Sequence, residues 1–160
     1  MRRTVRWPDA ASANIAAYDA LDPQSRAAVD GAPVPVLLPA EDFALEELRV
    51  MSGPEWAATW GRGDAFTVSL HASRMARVLP GVKPQPGPWT VRDRDAFVTR
   101  NEGIWSVSWI EHGVAYALEL ECAPPDGPPC DDETALLQLA EQLVYVGGRG
   151  VDGQGKEASR

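Results

Sequence analysis

Hydrophobic residues recur at every second position through the middle of the chain, from about residue 55 to residue 122. The run AFTVSLHAS, residues 65–73, places its large apolar side chains on one face and Thr67, Ser69 and His71 on the other. A period of two is typical of strands that bury one face and expose the other. Together with EWAATW and the turn GRGD before it, this run predicts a β-hairpin whose polar face carries an exposed His71.

The runs DAFVTR, IWSVSWI and VAYALELEC continue the alternation, and the short sequences NEG and HG separate them. They predict a three-stranded meander, because His112 and Gly113 suit a tight turn that needs positive φ. Pairing outward from this turn places Trp109 with Tyr116, Val107 with Leu118 and Trp105 with Leu120 on one face, and Ser108 with Ala117, Ser106 with Glu119 and Ile104 with Glu121 on the other. A shift of one residue would mix the two faces, so the pattern itself determines the register.

The face with Trp105 and Trp109 is interpreted as core, and the alternative is a platform for a ligand. We expect a C-terminal helix over residues 131–144 to cover it. This helix has an acidic first turn, which complements the helix dipole. Its apolar stripe consists of Leu136, Leu139, Ala140 and Leu143.

The rest of the chain predicts an α+β fold. Helical structure is expected over SANIAAYDALDPQSRAAV, residues 12–29, where Asp22 and Pro23 form a strong N-terminal signal, and Gly31 and Pro33 are expected to end it. PVPVLLP, residues 33–39, predicts an edge or entry strand. Residues 40–53 fit either a helical turn or an exposed loop, and residues 79–91 predict an irregular connection. We expect a single antiparallel sheet, a meander of hairpins, packed against N- and C-terminal helices in one domain of residues 1–146. A disordered Gly-rich tail of residues 147–160 is expected to follow.

The two cysteines, Cys122 and Cys130, flank APPDGPP, which contains four prolines and a glycine and favours turns. A disulfide between them is expected, with two reduced buried thiols as the alternative. Disulfides persist in oxidising compartments, so we expect a periplasmic or secreted protein. MRRTVRWPDAAS lacks the apolar segment of a signal peptide, so the alternative is a cytoplasmic protein or a leader that precedes this start.

Charge and length limit the class of function. The formal net charge is −8, which argues against a nucleic-acid binder and against attachment to anionic lipid. No apolar run reaches the ~20 residues of a transmembrane helix. With two His and two Cys in the chain, we expect neither a zinc site nor another cofactor.

The polar face of the meander provides the candidate binding face. We assign to it Ser106, Ser108, Glu119 and Glu121, together with the turn residues Glu111 and His112. Each turn residue is expected to be solvated, and we expect His112 to titrate near its ordinary pKa of about 6.5. No nucleophile elbow or zinc-protease motif is present, so we expect no catalytic residue.

The run SVSWIEHGVAYALELEC, followed by CDDETALLQLAEQLVYVGG, resembles the C-terminal part of small uncharacterised exported proteins of Gram-negative bacteria. PVPVLLP resembles theirs too. The resemblance covers a hairpin, a cysteine loop and a helix. It implies export and a disulfide, and it assigns no catalytic residue.

Three functions follow from these observations. The first is a non-enzymatic exported domain that binds a protein, a peptide or a cell-envelope component. The second is an inhibitor or immunity-type protein, and the third is a hydrolase that uses carboxylates or His112. The oligomeric state and the identity of the partner do not follow from the sequence.

Overall fold

The structure is a computed structural model and describes residues 2–75 and 88–149. The α-helices of this part are α1 (Ile15–Asp19), α2 (Pro23–Gly31) and α3 (Thr134–Glu141), and 3-10 turns lie at Ala10–Ser12 and Glu41–Phe43. Its strands are β1 (Val36–Leu38), β2 (Glu47–Ser52), β3 (Trp56–Gly63), β4 (Phe66–Ser73), β5 (Trp89–Val91), β6 (Arg94–Asn101), β7 (Ile104–Glu111), β8 (Val114–Cys122) and β9 (Val144–Gly147). None of the described helices is long and apolar enough to cross a membrane.

Seven strands form one antiparallel sheet in the order β2-β3-β4-β8-β7-β6-β5. Two meanders, β2 to β4 and β5 to β8, lie side by side, and the pairing of β4 with β8 joins them. The predicted hairpin and the predicted meander are confirmed, and each is extended by one strand, β2 and β5. The predicted register is confirmed as well, since Trp109 pairs with Tyr116 and Trp105 with Leu120.

Two-residue turns connect the strands from β5 to β8, and both residues of each turn have positive φ. They are Arg92 and Asp93 (54° and 60°), Glu102 and Gly103 (53° and 81°), and His112 and Gly113 (57° and 74°). This is the type I′ geometry, whose twist matches that of the strands. The conformation expected at His112 is therefore confirmed.

One face of the sheet, which we call the covered face, packs against α3 and the small sheet of β1 and β9. Helix α3 contacts β5, β7 and β8. Trp109 is 3% exposed and stacks on Tyr116 with ring centroids 5.5 Å apart. Trp105 is half-buried, and its indole N–H donates to the carbonyl oxygen of Cys130 at 2.9 Å. Both tryptophans therefore lie on the packed side, with Trp105 at its margin.

The prediction of a single sheet is wrong, because β1 and β9 form a second, two-stranded sheet. The strand predicted over PVPVLLP is confirmed as β1. The helix predicted over residues 131–144 is shorter, since α3 ends at Glu141 and β9 follows. Gly147 and Gly148 of the predicted tail are buried, whereas residues 150–160 lie outside the described residues.

Two strands lie in segments that were predicted to be irregular. Strand β2 occupies most of the second half of residues 40–53, where a turn or a loop was expected. Strand β5 occupies the end of residues 79–91, and residues 79–87 lie outside the described part of the chain. These two strands form the edges of the seven-stranded sheet.

The predicted disulfide is present between Cys122 and Cys130, with an S–S distance of 2.06 Å. It closes the proline-rich loop between β8 and α3, and both residues are buried. Closing a loop of this length stabilises a fold by about 2–3 kcal/mol in the chain-entropy treatment. Arg100 of β6 also forms an ion pair with Asp126 of the loop.

Candidate functional site

The second face of the seven-stranded sheet, which we call the outer face, carries the side chains that alternate with those of the covered face. Its large apolar residues are accessible to solvent: Met51 is 55% exposed, Phe97 47% and Ile110 42%. An antiparallel sheet with one solvated face normally presents polar side chains there. The outer face therefore exposes more apolar surface than a sheet face that contacts only water normally does.

A shallow depression of about 350 Å³ lies on the outer face between β4, β6, β7 and β8. Small side chains, Ser108, Ala115 and Ala117, line it. Phe97 and Ile110 also line it and project beside these small residues. The sheet thus offers a concave apolar patch rather than a flat polar surface.

An aromatic pair extends this patch toward β3. The rings of Trp56 and His71 stack with centroids 5.9 Å apart and an interplanar angle of 17°. Trp56 lies opposite Ser73, and His71 lies opposite Ala117 on the next strand. His71 is exposed, as predicted. The stack places a rigid aromatic surface at the margin of the depression.

The charges of the outer face are unequally paired. Arg49 and Arg62 both contact Glu47, with N–O distances of 3.1 Å and 3.7 Å. Within the described residues, no ion pair involves the other carboxylates of this face, which are Asp95, Glu119 and Glu121. The outer face therefore carries unneutralised negative charge.

Four of the predicted binding-face residues lie together on the outer face. Ser106 lies opposite Glu119, and Ser108 lies opposite Ala117, in the predicted register. Glu121 follows two positions along β8 and is exposed, as Glu119 is. This confirms their placement on one face, and it leaves their role as a binding surface a prediction.

Glu111 does not belong to this face, which corrects the assignment made from the sequence. It is 7% exposed and has the same strand parity as Trp109, so it lies on the covered face. Its Oε1 accepts hydrogen bonds from Arg92 Nε at 2.7 Å and from Trp109 Nε1 at 2.9 Å. Burial alone would raise the pKa of Glu111, but these hydrogen bonds and the charges of Arg92 and His112 outweigh it and lower the pKa.

His112 also differs from the solvated residue that was expected. Its side chain is 21% exposed, and its Nε2 lies 3.4 Å from Oε2 of Glu111. Burial lowers the pKa of His112, and the nearby Arg92 and Arg94 add to this effect, while Glu111 opposes it. The expectation of an ordinary pKa is therefore wrong.

The N-terminal segment of residues 2–7 covers the turn that contains His112. The amide of Arg6 donates to the carbonyl oxygen of His112 at 2.8 Å, and the amide of Arg3 donates to that of Arg74 at 2.6 Å. A Cβ at Gly113 would lie 2.2 Å from the carbonyl oxygen of Thr4. The N-terminal segment therefore packs closely against the backbone of this turn.

Arg92 was missed in the sequence because it lies between the segment predicted to be irregular, residues 79–91, and the predicted strand DAFVTR, where no structure was assigned. Its Nη1 donates to the carbonyl oxygens of Ala140 and Leu143, at 3.2 Å and 3.0 Å. Its Nε donates a hydrogen bond to Oε1 of Glu111. A cation at the C-terminal end of a helix interacts favourably with the helix dipole. Arg92 therefore joins α3 to the sheet, and the cluster that it forms with Glu111 is structural.

Phe97 and Ile110 could have been found in the sequence. Each interrupts the polar positions of its strand, since Phe97 lies between Asp95 and Thr99 in the alternation and Ile110 follows Ser108. Large apolar residues at polar positions of two neighbouring strands predict an exposed apolar patch on that face. Trp56 gives no such signal, because its neighbours in EWAATW are apolar on both faces.

Among residues 2–75 and 88–149, no three His, Cys, Asp or Glu side chains are grouped so that they could hold a metal ion. In the comparisons with known proteins, no protein-family model, no curated protein and no solved structure matches the chain.

Proposed function

We propose that the protein is an exported, non-enzymatic binding domain that docks a protein or peptide on its outer face. The apolar depression between Phe97 and Ile110 is the observation that carries this proposal. Exposed apolar patches rimmed by polar residues mark sites of protein interaction. A shallow concave surface with aromatic side chains suits a protein or peptide chain better than a small molecule, which needs an enclosed pocket.

The disulfide supports export. Disulfides form and persist in the periplasm and outside the cell, whereas cytoplasmic thiols are kept reduced. Cys122 and Cys130 are joined in a buried position, so the bond is part of the core rather than an exposed switch. A periplasmic or secreted location is therefore the compartment that we propose.

An inhibitor or immunity-type function is the second candidate. The unpaired carboxylates Glu119 and Glu121 favour it, because such proteins can bind basic enzymes through acidic surfaces. The third possibility, a hydrolase, requires Glu111 and His112 to face a substrate. The hydrogen bonds that Arg92 and Trp109 donate to Glu111 argue against it, since they occupy the carboxylate inside the core.

Site-specific photocrosslinking tests the docking face. A photoreactive phenylalanine analogue replaces Phe97 in the protein produced in its native cells, and the same analogue replaces the exposed Gln138 of α3 as a control. We expect a discrete crosslinked product at Phe97 and none at Gln138. Ile110→Ser should reduce that product, whereas Ile15→Ser, which changes an exposed Ile on α1, should not.

Equal crosslinking at Phe97 and Gln138, or none at Phe97, would overturn the docking proposal. The circular dichroism spectrum and the unfolding midpoint of each variant should match those of the wild type. These measurements separate loss of docking from loss of folding.

A further inference from the structure

We infer that the partner docked on the outer face carries basic side chains beside large apolar ones. This inference rests on the proposed docking function and adds the chemistry of the partner. It comes from the position and pairing of the charges around the depression.

One carboxylate, Asp95, lines the apolar depression, and another, Glu119, lies next to its lining residue Ala117. Glu119 lies two positions after Ala117 on β8, and Asp95 lies two positions before Phe97 on β6. Two positions along a strand correspond to about 6.6 Å. A Lys or Arg side chain flanking an apolar residue that fills the depression can therefore reach either carboxylate.

Short neighbours leave the central carboxylates accessible. Glu119 lies between Ser69 of β4 and Ser106 of β7 in one cross-strand row. Serine side chains are too short to cover a glutamate, and Glu119 is exposed. The arginines of this face are already occupied by Glu47. The negative charge is thus available to a partner.

The same charges disfavour a second copy of this chain as the occupant. Face-to-face packing of two outer faces would bring the carboxylates of both copies into one interface. Like charges in an interface oppose association, whereas complementary charges steer encounter and select partners. A net charge of −8 adds to the repulsion between copies. A partner with basic side chains avoids both the repulsion between carboxylates and the repulsion between net charges.

Three synthetic peptides of equal length test the inference. They share the same Phe and Leu residues, and their remaining positions are filled with Lys, Gln or Glu. Each is titrated into ¹⁵N-labelled wild-type protein in dilute buffer while amide chemical shifts are followed. We expect the Lys peptide to shift amides of β4, β6, β7 and β8 and to bind more tightly than the Gln peptide, and the Glu peptide to bind least.

A double variant removes the central carboxylates. E119Q/E121Q should bind the Lys peptide about ten times more weakly, as expected for the loss of two exposed ion pairs. The control D19N/D131N removes the same charge at exposed positions outside the outer face and should bind as the wild type does. Added salt should reduce the difference between E119Q/E121Q and the wild type.

The outcomes separate the inference from the docking proposal. If the Lys and Gln peptides bind the outer face equally, the inference is overturned and docking stands. If D19N/D131N weakens binding as much as E119Q/E121Q, the attraction is a general charge effect and the inference is overturned. Shifts confined to other surfaces, or no binding of any peptide, also overturn it, and docking is then judged by crosslinking at Phe97 alone.

Discussion

The indole nitrogen of Trp109 donates a hydrogen bond to Oε1 of Glu111, 2.9 Å away, on the covered face of the sheet. The same oxygen accepts a hydrogen bond from Arg92. A carboxylate at the end of β7 thus connects the largest core aromatic residue to the arginine that holds the end of α3. Trp109 and Glu111 are therefore structural residues of the core and do not belong to the outer face.

Glu111→Leu should lower the free energy of unfolding by about 3–5 kcal/mol, because Nε of Arg92 and the indole N–H of Trp109 lose their shared acceptor, and the largely buried guanidinium loses its counter-charge. The double variant Arg92→Met/Glu111→Leu should be more stable than Glu111→Leu, since both charges are then absent. Urea unfolding gives the free energy of unfolding of the wild type, of Glu111→Leu and of the double variant. The control Glu119→Gln, on the outer face, should stay within about 0.5 kcal/mol of the wild type. A Glu111→Leu variant as stable as this control would show that the ion pair contributes nothing.

Acidification should destabilise the protein through His112. Its folded-state pKa lies below the unfolded value of about 6.5, so the unfolded state binds more protons between the two values. Above about pH 6.5, His112 therefore does not reduce the free energy of unfolding. This free energy declines as the pH falls through the folded-state pKa of His112.

Asn tolerates positive φ, so His112→Asn preserves the turn and removes the titrating group. We expect the unfolding midpoint in urea to fall less between pH 7.5 and pH 5.5 in this variant than in the wild type. The control His71→Asn retains His112, so the part of the fall in the urea midpoint that His112 causes should persist in this variant. Identical pH profiles of wild type and His112→Asn would contradict the lowered pKa.

Gly113→Ala should be more destabilising than Gly103→Ala. Both glycines have positive φ at the second position of a type I′ turn, so alanine pays a similar conformational cost of about 1–2 kcal/mol at each. At Gly103 the heavy atom nearest to the new Cβ would be Cβ of Pro125, at 2.9 Å, whereas at Gly113 it would be the backbone carbonyl oxygen of Thr4, at 2.2 Å.

The clash at Gly113 should displace the N-terminal segment. Limited proteolysis should therefore cleave residues 2–7 faster in Gly113→Ala than in Gly103→Ala. Thermal unfolding gives the stability of each variant. Equal loss of stability at both positions would indicate that the segment contributes little to the fold.

The alternation of side chains was sufficient to predict the centre of the sheet. A shift by one residue would have brought Trp109 opposite an alanine, and Gly113 required a specific turn geometry, so one register remained. The same alternation placed Ser106, Ser108 and Glu119 on the face that the structure leaves open. These are local signals, and local signals are readable in a single sequence.

Strand β9 and the burial of Glu111 were missed because each depends on a partner that is distant in the sequence. Strand β9 follows α3 directly, and its four residues are a strand because β1 pairs with them. Glu111 stands beside a turn, where solvation is the usual expectation, and its burial depends on Arg92 in another turn. A local pattern carries no record of such contacts.

The pairing of β4 with β8 has a consequence for the period in which the chain emerges during synthesis. Strand β4 appears with its second edge unsatisfied, and it stays so until the last strand of the second meander has followed. Strand β1, whose three residues are all apolar, stays unpaired even longer, until β9 has been made. Exposed strand edges of this kind recruit other chains. A chaperone that shields nascent strands would therefore matter until β8 and then β9, both in the final third of the chain, have appeared.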